Sequence, residues 1–143
     1  MKNPWSGRWS FVKDYIPNGV SIIDFGCGNK EVLDHTVPSN YLGVDLLPTA
    51  DLVADLNYPL EISGQFDIAL LLGVLEYVTN PDLTLSYISH YADKFVVLSL
   101  AVKKKNEWVR AFTDLSIDQL LRRHFNQVKH YQHDGYILSV CKK

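Results

Sequence analysis

The sequence predicts an α/β fold: a mostly parallel sheet with helices on both faces that closes on an antiparallel hairpin. Three observations predict it. Apolar runs alternate with polar, helix-like stretches along the chain, the pattern of parallel strands joined by crossovers. Several runs, such as "FDIALLL" and "KFVVLSL", are apolar at consecutive positions, as expected of strands covered on both sides. Near the end, "NQVKHYQ" and "YILSVCK" flank Asp134-Gly135, a dipeptide that favours a tight turn between antiparallel neighbours.

The elements follow in chain order. A helix is expected over 7–15, ahead of a first strand in "GVSIIDF" (19–25). A short helix should run from Lys30 to about His35. "YLGVDL" (41–46) and "DLVAD" (51–55) read as the second and third strands, and "FDIALLL" (66–72) as the fourth. Asn80-Pro81-Asp82 offers an N-cap followed by proline at the first helical position. From there Leu83, Tyr87, Ile88 and Tyr91 fall on one face. "KFVVLSL" (94–100) is the fifth strand. Ser116 with Gln119 makes a capping box, after which Ile117, Leu120, Leu121, His124 and Phe125 keep amphipathic helical spacing. The hairpin ends the chain.

At 143 residues the chain suits one domain, 1–143. It is 47% hydrophobic and 12% aromatic, enough for a sizeable core. A net charge of −2 leaves no basic footprint for nucleic acid, and Lys103-Lys104-Lys105 reads as a solvated loop. Two cysteines, Cys27 and Cys141, form neither a disulfide framework nor a zinc spacing. "MKNPW" has no apolar core, so no signal peptide is expected. No apolar stretch approaches the roughly 20 residues that span a bilayer. A cytoplasmic protein without membrane association is the expectation.

Asp24-Phe25-Gly26-Cys27-Gly28 follows a strand and opens a short helix. Glycine there lets the backbone turn sharply and lets a ligand approach. A lone G-x-G is also what an ordinary strand-to-helix turn uses. Asp45, at the end of the next strand, adds an acid able to hold a ribose diol. The dinucleotide fingerprint requires a third glycine, and Glu31 stands there instead. Its carboxylate would repel a phosphate at the helix start. The expected ligand is therefore a phosphate-free nucleoside, one that tolerates or carries positive charge. Asp24, Asp45, Asp55 and Glu76 all map to the carboxyl edge of the sheet, where open α/β sheets bind ligands. Asp67 maps to the opposite edge and reads as structural.

With these motifs in place, the chain resembles a compact class I S-adenosylmethionine-dependent methyltransferase of the methyltransferase type 11-like kind. "IIDFGCGNK" resembles the first motif, "YLGVDL" the second, "VADL" the adenine segment, and "FDIALLLGVLEYVTNPDLTL" the fourth-strand motif. The likeness runs over roughly residues 8–142. It implies a Rossmann-like seven-stranded sheet with an antiparallel last strand, and S-adenosylmethionine as cofactor. It also implies roles. Gly26, Cys27 and Gly28 would pass close to the methionine part, with Asp24 nearby. Asp45 would bind the ribose, with Leu46 beside the adenine. Asp55 would accept from the adenine amino group, flanked by Leu56. Leu72 and Gly73 would floor the site near the methyl, and Arg8 or Trp9 would close over it. The chain departs from the pattern in four places. Asn29-Lys30 replaces a small residue, Tyr77 replaces a histidine, and "YADKF" replaces a proline-glycine turn. "LLPTA" leaves no room for a helix between the second and third strands.

Methyl transfer needs collinear positioning of acceptor, methyl carbon and sulfur, and it needs a base only for a poor nucleophile. The sequence assigns no catalytic residue. Glu76 and Tyr77 are either substrate-side residues or a fold-specific cap and a core aromatic. Asn106, Trp108 and Arg110 could read a sugar or an aromatic ring, or form an ordered surface loop. The lack of an added domain favours a small-molecule or glycan-linked acceptor over nucleic acid. Two other classes stay open: a non-catalytic methyltransferase-like partner module, and a nicotinamide oxidoreductase, which Glu31 and the hairpin disfavour. Oligomeric state is not readable from the sequence.

Overall fold

A computed structural model describes residues 9, 12–101, 112–133 and 135–143. The seven strands are β1 (Ser21–Phe25), β2 (Asn40–Asp45), β3 (Leu52–Val53), β4 (Phe66–Leu72), β5 (Ala92–Ala101), β6 (Gln127–His133) and β7 (Tyr136–Lys142). They form one sheet in the order β3-β2-β1-β4-β5-β7-β6. The first five run parallel; β7 is antiparallel to both β5 and β6. His133 pairs with Tyr136, so the hairpin connection has two residues, as expected. Its Asp134 lies outside the described residues.

Alternation along the strands divides the core in two. Ile23, Phe25, Ala69, Leu71, Val96 and Leu98 face one side. There they meet α2 (Pro81–Ile88) and α3 (Asp114–Arg122). Ile22, Ile68, Leu70 and Val97 face the other side, with Trp9, Ile16 and Val32. Among the described residues, that second face has little helix: α1 (Val12–Tyr15) and a 3-10 turn at Glu31–Asp34. Tyr15 packs there against Phe95 and Tyr131, and its hydroxyl hydrogen-bonds that of Tyr131. Among the described residues, no helix is long and apolar enough to cross a membrane.

Local signals were partly misread. Asn80 caps α2 as expected, accepting from the Leu83 N–H at 3.1 Å. The buried stripe of that helix, however, is Thr84, Leu85 and Ile88, while Leu83 is exposed. Thr84 is drawn inward because its hydroxyl donates to the Leu56 carbonyl. The capping box of α3 starts at Thr113, with Ser116 as its third helical residue rather than its cap. The third strand is only two residues long. No helix lies between β2 and β3, as "LLPTA" predicted. Asp67 is structural: its carboxylate accepts the Ser21 N–H and Ser21 Oγ accepts the Asp67 N–H, joining the starts of β1 and β4.

Two Asp–His–Arg clusters hold α3. Asp118 takes both Arg122 and His130, and the same imidazole reaches the buried Ser139 Oγ on β7 at 2.7 Å. Asp82 on α2 takes His124 and Arg123. His130 and Arg122 hold the Asp118 carboxyl below its ordinary value; His124 and Arg123 do the same for Asp82. A depressed carboxyl stabilises the fold fully above its ordinary value of 3.8 and loses that contribution as pH falls through the lower folded-state value. Thermal unfolding followed against pH is expected to show Asp118→Asn melting below the parent at neutral pH. The gap should close on acidification below 3.8; a gap constant from neutral to strongly acidic pH contradicts this.

Candidate functional site

The rim is organised by the turn that leaves β1. Gly26 adopts φ 74, a left-handed conformation that glycine takes without strain. A Cβ added there would stand 2.4 Å from Val74 Cγ2, just past β4. The N–H groups of Gly26 and Cys27 both donate to the Val44 carbonyl, at 2.7 and 3.1 Å, which ties the turn to β2. Cys27 folds over Gly43, where a Cβ would come within 2.9 Å of Cys27 Sγ. Lys30 takes φ 58 without being glycine, a conformation costing on the order of 1 kcal/mol. Its ammonium bonds Asp51 Oδ1 at 2.8 Å, and Asp51 Oδ2 accepts the Gly43 N–H at 2.8 Å. These partners hold the Asp51 carboxyl below its ordinary value, Lys30 contributing most.

Each acid at this edge is oriented by backbone or a neighbour. Asp45 accepts the Gly28 N–H on Oδ2 at 2.9 Å and the Leu47 N–H on Oδ1 at 3.2 Å. Asp24 is buried and accepts from the Tyr41 hydroxyl at 2.7 Å. Burial and the Asp24 charge push the Tyr41 phenol far above its ordinary value. Burial, reinforced by Asp24 and Asp45, pushes the Cys27 thiol up to about 11. Asp55, just beyond β3, accepts on Oδ1 from both the backbone N–H and the side-chain Nδ2 of Asn57.

Two cavities open on this edge and share Gly26. The first, about 250 Å³, is bounded by Asp45, Leu46, Asp55, Leu56, Asn57, Gly73, Val74 and Tyr77. The second, about 260 Å³, is bounded by Trp9, Asp24, Cys27, Gly28, Asn29, Glu31 and Leu72. Among the described residues, each therefore holds two carboxylates. Neither is lined by a described lysine or arginine.

The sequence-expected residues divide between the two cavities. Asp24, Cys27, Gly28 and Leu72 line the second; Asp45, Leu46, Asp55, Leu56 and Gly73 line the first; Gly26 lines both. Tyr77 is 58% exposed at the rim of the first cavity, not a core aromatic. Glu76 is buried, lines neither cavity, and accepts the Ala101 N–H at the end of β5. Trp9 lines the second cavity and stacks on His35, ring centroids 4.9 Å apart. Arg8, Lys103 to Lys105, Asn106, Trp108 and Arg110 lie outside the described residues. Sequence reasoning missed Tyr41, Val74 and Asn57. Only Asn57 carried a local signal, an amide two residues after an aspartate, the spacing of an Asx turn.

No family model matches the sequence, and no curated protein matches it in sequence. Solved structures match it in fold. An S-adenosylmethionine-dependent methyltransferase from Mesorhizobium loti matches at TM-score 0.72 and 15% identity, over 96% of this chain and 98% of that one. Magnesium protoporphyrin IX methyltransferase from Synechocystis PCC 6803, with bound SAH, matches at TM-score 0.67 and 15% identity, over 96% and 81%. Burkholderia thailandensis 1,6-didemethyltoxoflavin-N1-methyltransferase, with bound 1,6-didemethyltoxoflavin and S-adenosylhomocysteine, matches at TM-score 0.70 and 16% identity, over 96% and 77%. The chain has the fold of the class I methyltransferases.

The glycine turn yields a direct test. Gly26→Ala combines left-handed strain with a clash, and its expected cost is roughly 2–4 kcal/mol in chemical denaturation. Adding Val74→Ala removes the clash and leaves the strain, so the double variant should be more stable than the sum of the two single losses predicts. Simple additivity would show that Val74 does not press on this turn.

Proposed function

We propose that this chain is a single-domain methyltransferase that uses S-adenosylmethionine to methylate a small-molecule or glycan-linked acceptor. One observation carries the reading: two carboxylate-lined cavities meet across a bare glycine, at the carboxyl ends of strands ordered β3-β2-β1-β4-β5-β7-β6. A bipartite, cationic, phosphate-free nucleoside fits that chemistry. A dinucleotide does not, because its diphosphate would face Asp24 and Glu31 with no described lysine or arginine lining that cavity.

The residues present fit the cofactor half by half. Asp45 is held by two backbone amides on one side, and its remaining lone pairs suit a ribose diol. Asp55 suits the six-amino group of adenine, between the apolar flanks of Leu46 and Leu56. Asp24 and Glu31 suit the ammonium and sulfonium of the methionine half, beside Cys27 and Gly28. Leu72 and Gly73 take the floor between the two halves. When bound, the cofactor supplies a methyl group made electrophilic by its sulfonium.

The chain's own part is to orient and to exclude water. Fixing donor and acceptor in line contributes on the order of 7–11 kcal/mol. The bond from Glu76 to Ala101 supports its reading as a cap; the position of Tyr77 at the cavity rim supports a ligand-side role. Asn106, Trp108 and Arg110 are the proposed acceptor-side residues. An acceptor of modest size accords with the protoporphyrin and toxoflavin enzymes among the structural neighbours.

Calorimetric titration of the purified protein with S-adenosylhomocysteine and with NAD tests the reading. Saturable heat is expected with the first and none with the second. Asp45→Ala should weaken S-adenosylhomocysteine binding by roughly tenfold or more while the chain still melts cooperatively. Undiminished affinity in that variant removes the ribose assignment, and preference for NAD removes the enzyme class.

A further inference from the structure

Between β3 and β4 the wall of the first cavity carries no helix. We propose that Asn57 is a positioning residue of the adenosine site: it orients the Asp55 carboxylate and so sets selectivity for an amino-purine over an oxo-purine. The inference rests on the adenosine reading of that cavity.

Asn57 uses every polar atom of its side chain. Its Nδ2 donates to Asp55 Oδ1 at 2.9 Å, alongside its backbone N–H, also at 2.9 Å. Its Oδ1 accepts the Thr79 N–H at 2.7 Å, from the segment leading into α2. The reversed amide would set a carbonyl against a carboxylate and an NH₂ against an N–H, so the orientation is fixed by chemistry. Both bonds to Asp55 fall on Oδ1. Oδ2 accepts none among the described residues.

A carboxylate locked in this way presents one defined acceptor to the cavity it lines. An exocyclic amino group at that point gains a hydrogen bond. A carbonyl there meets a fixed negative oxygen on a half-buried carboxylate, and leaving the two acceptors facing each other disfavours the oxo-purine. Without the amide, one backbone N–H alone still holds Oδ1; the carboxylate turns more freely about it and the distinction blurs.

The wall itself does not depend on Asn57 alone. Thr84 Oγ1 donates to the Leu56 carbonyl at 3.0 Å, and the Tyr91 hydroxyl donates to the Leu60 carbonyl at 2.7 Å. Holding the segment and aiming the carboxylate are therefore separable. Thr84→Val should loosen the wall and weaken both purine types alike.

The test is calorimetry of the full chain with S-adenosylhomocysteine and with S-inosylhomocysteine, its six-oxo counterpart. The parent is expected to favour the adenosine compound by roughly tenfold, the worth of one hydrogen bond kept against one acceptor clash. In Asn57→Ala the ratio should fall to about twofold. Asn57→Asp keeps an acceptor for Thr79 and lacks the donor to Asp55, and should lose the ratio as well. Thr84→Val should keep it. A parental ratio in either Asn57 variant, or failure of both to fold, overturns the inference and leaves the adenosine reading standing. A parent that binds neither compound overturns both.

Discussion

The backbone at Gly26 lies so close to Val74 that no side chain fits between them. That contact joins the carboxyl end of β1 to the segment leaving β4. It puts the two cavities on either side of one bare residue. A ligand that occupies both must cross peptide backbone, not side chain, where only amide dipoles and nearby acids can meet it. The electrostatics of the rim then follow from which side chains surround the crossing. They are Asp24, Glu31, Asp45 and Asp55, with no described cation lining either space.

Among the described residues, few helices support this edge of the sheet. Side-chain bonds hold its loops in place. Lys30 and Asp51 pin the glycine loop to Gly43 on β2. Thr84 and Tyr91 pin the β3–β4 connection to the region of α2. The bonds from Asp51, Thr84 and Tyr91 each satisfy a backbone amide or carbonyl, those of Gly43, Leu56 and Leu60. The arrangement reaches across the sequence, Asn57 to Thr79 and Tyr91 to Leu60. Loop positions are thereby set by tertiary contacts, not by local propensity.

That explains what the sequence made legible. The inner strands were plain, because a run apolar at every position has few other places to go; β4 matches its expected span of 66–72. The acids at the carboxyl edge followed from counting along those strands. The failures came where local pattern competed with tertiary bonding. Apolar spacing put Leu83 on the inner face of its helix, yet Thr84 is buried, its hydroxyl reaching the Leu56 carbonyl. Thr113 and Ser116 are both good caps, and spacing alone does not choose between them. The third strand is confined to Leu52–Val53, which pair with Val44 and Asp45, and the Gly43 N–H before them is taken by the Asp51 carboxylate. Val74 at the glycine turn had no signal at all; its role exists only once β1 and β4 are adjacent.

Cys27 sits in the middle of the glycine loop, lining the second cavity. Sulfur becomes strongly nucleophilic only as thiolate. With its ionisation pushed up to about 11 by burial and two neighbouring acids, this sulfur keeps its proton at neutral pH. An alkylating agent lodged in that cavity would therefore meet an inert side chain. Burial contributes most to that proton's retention, and the same acids that line the rim add to it.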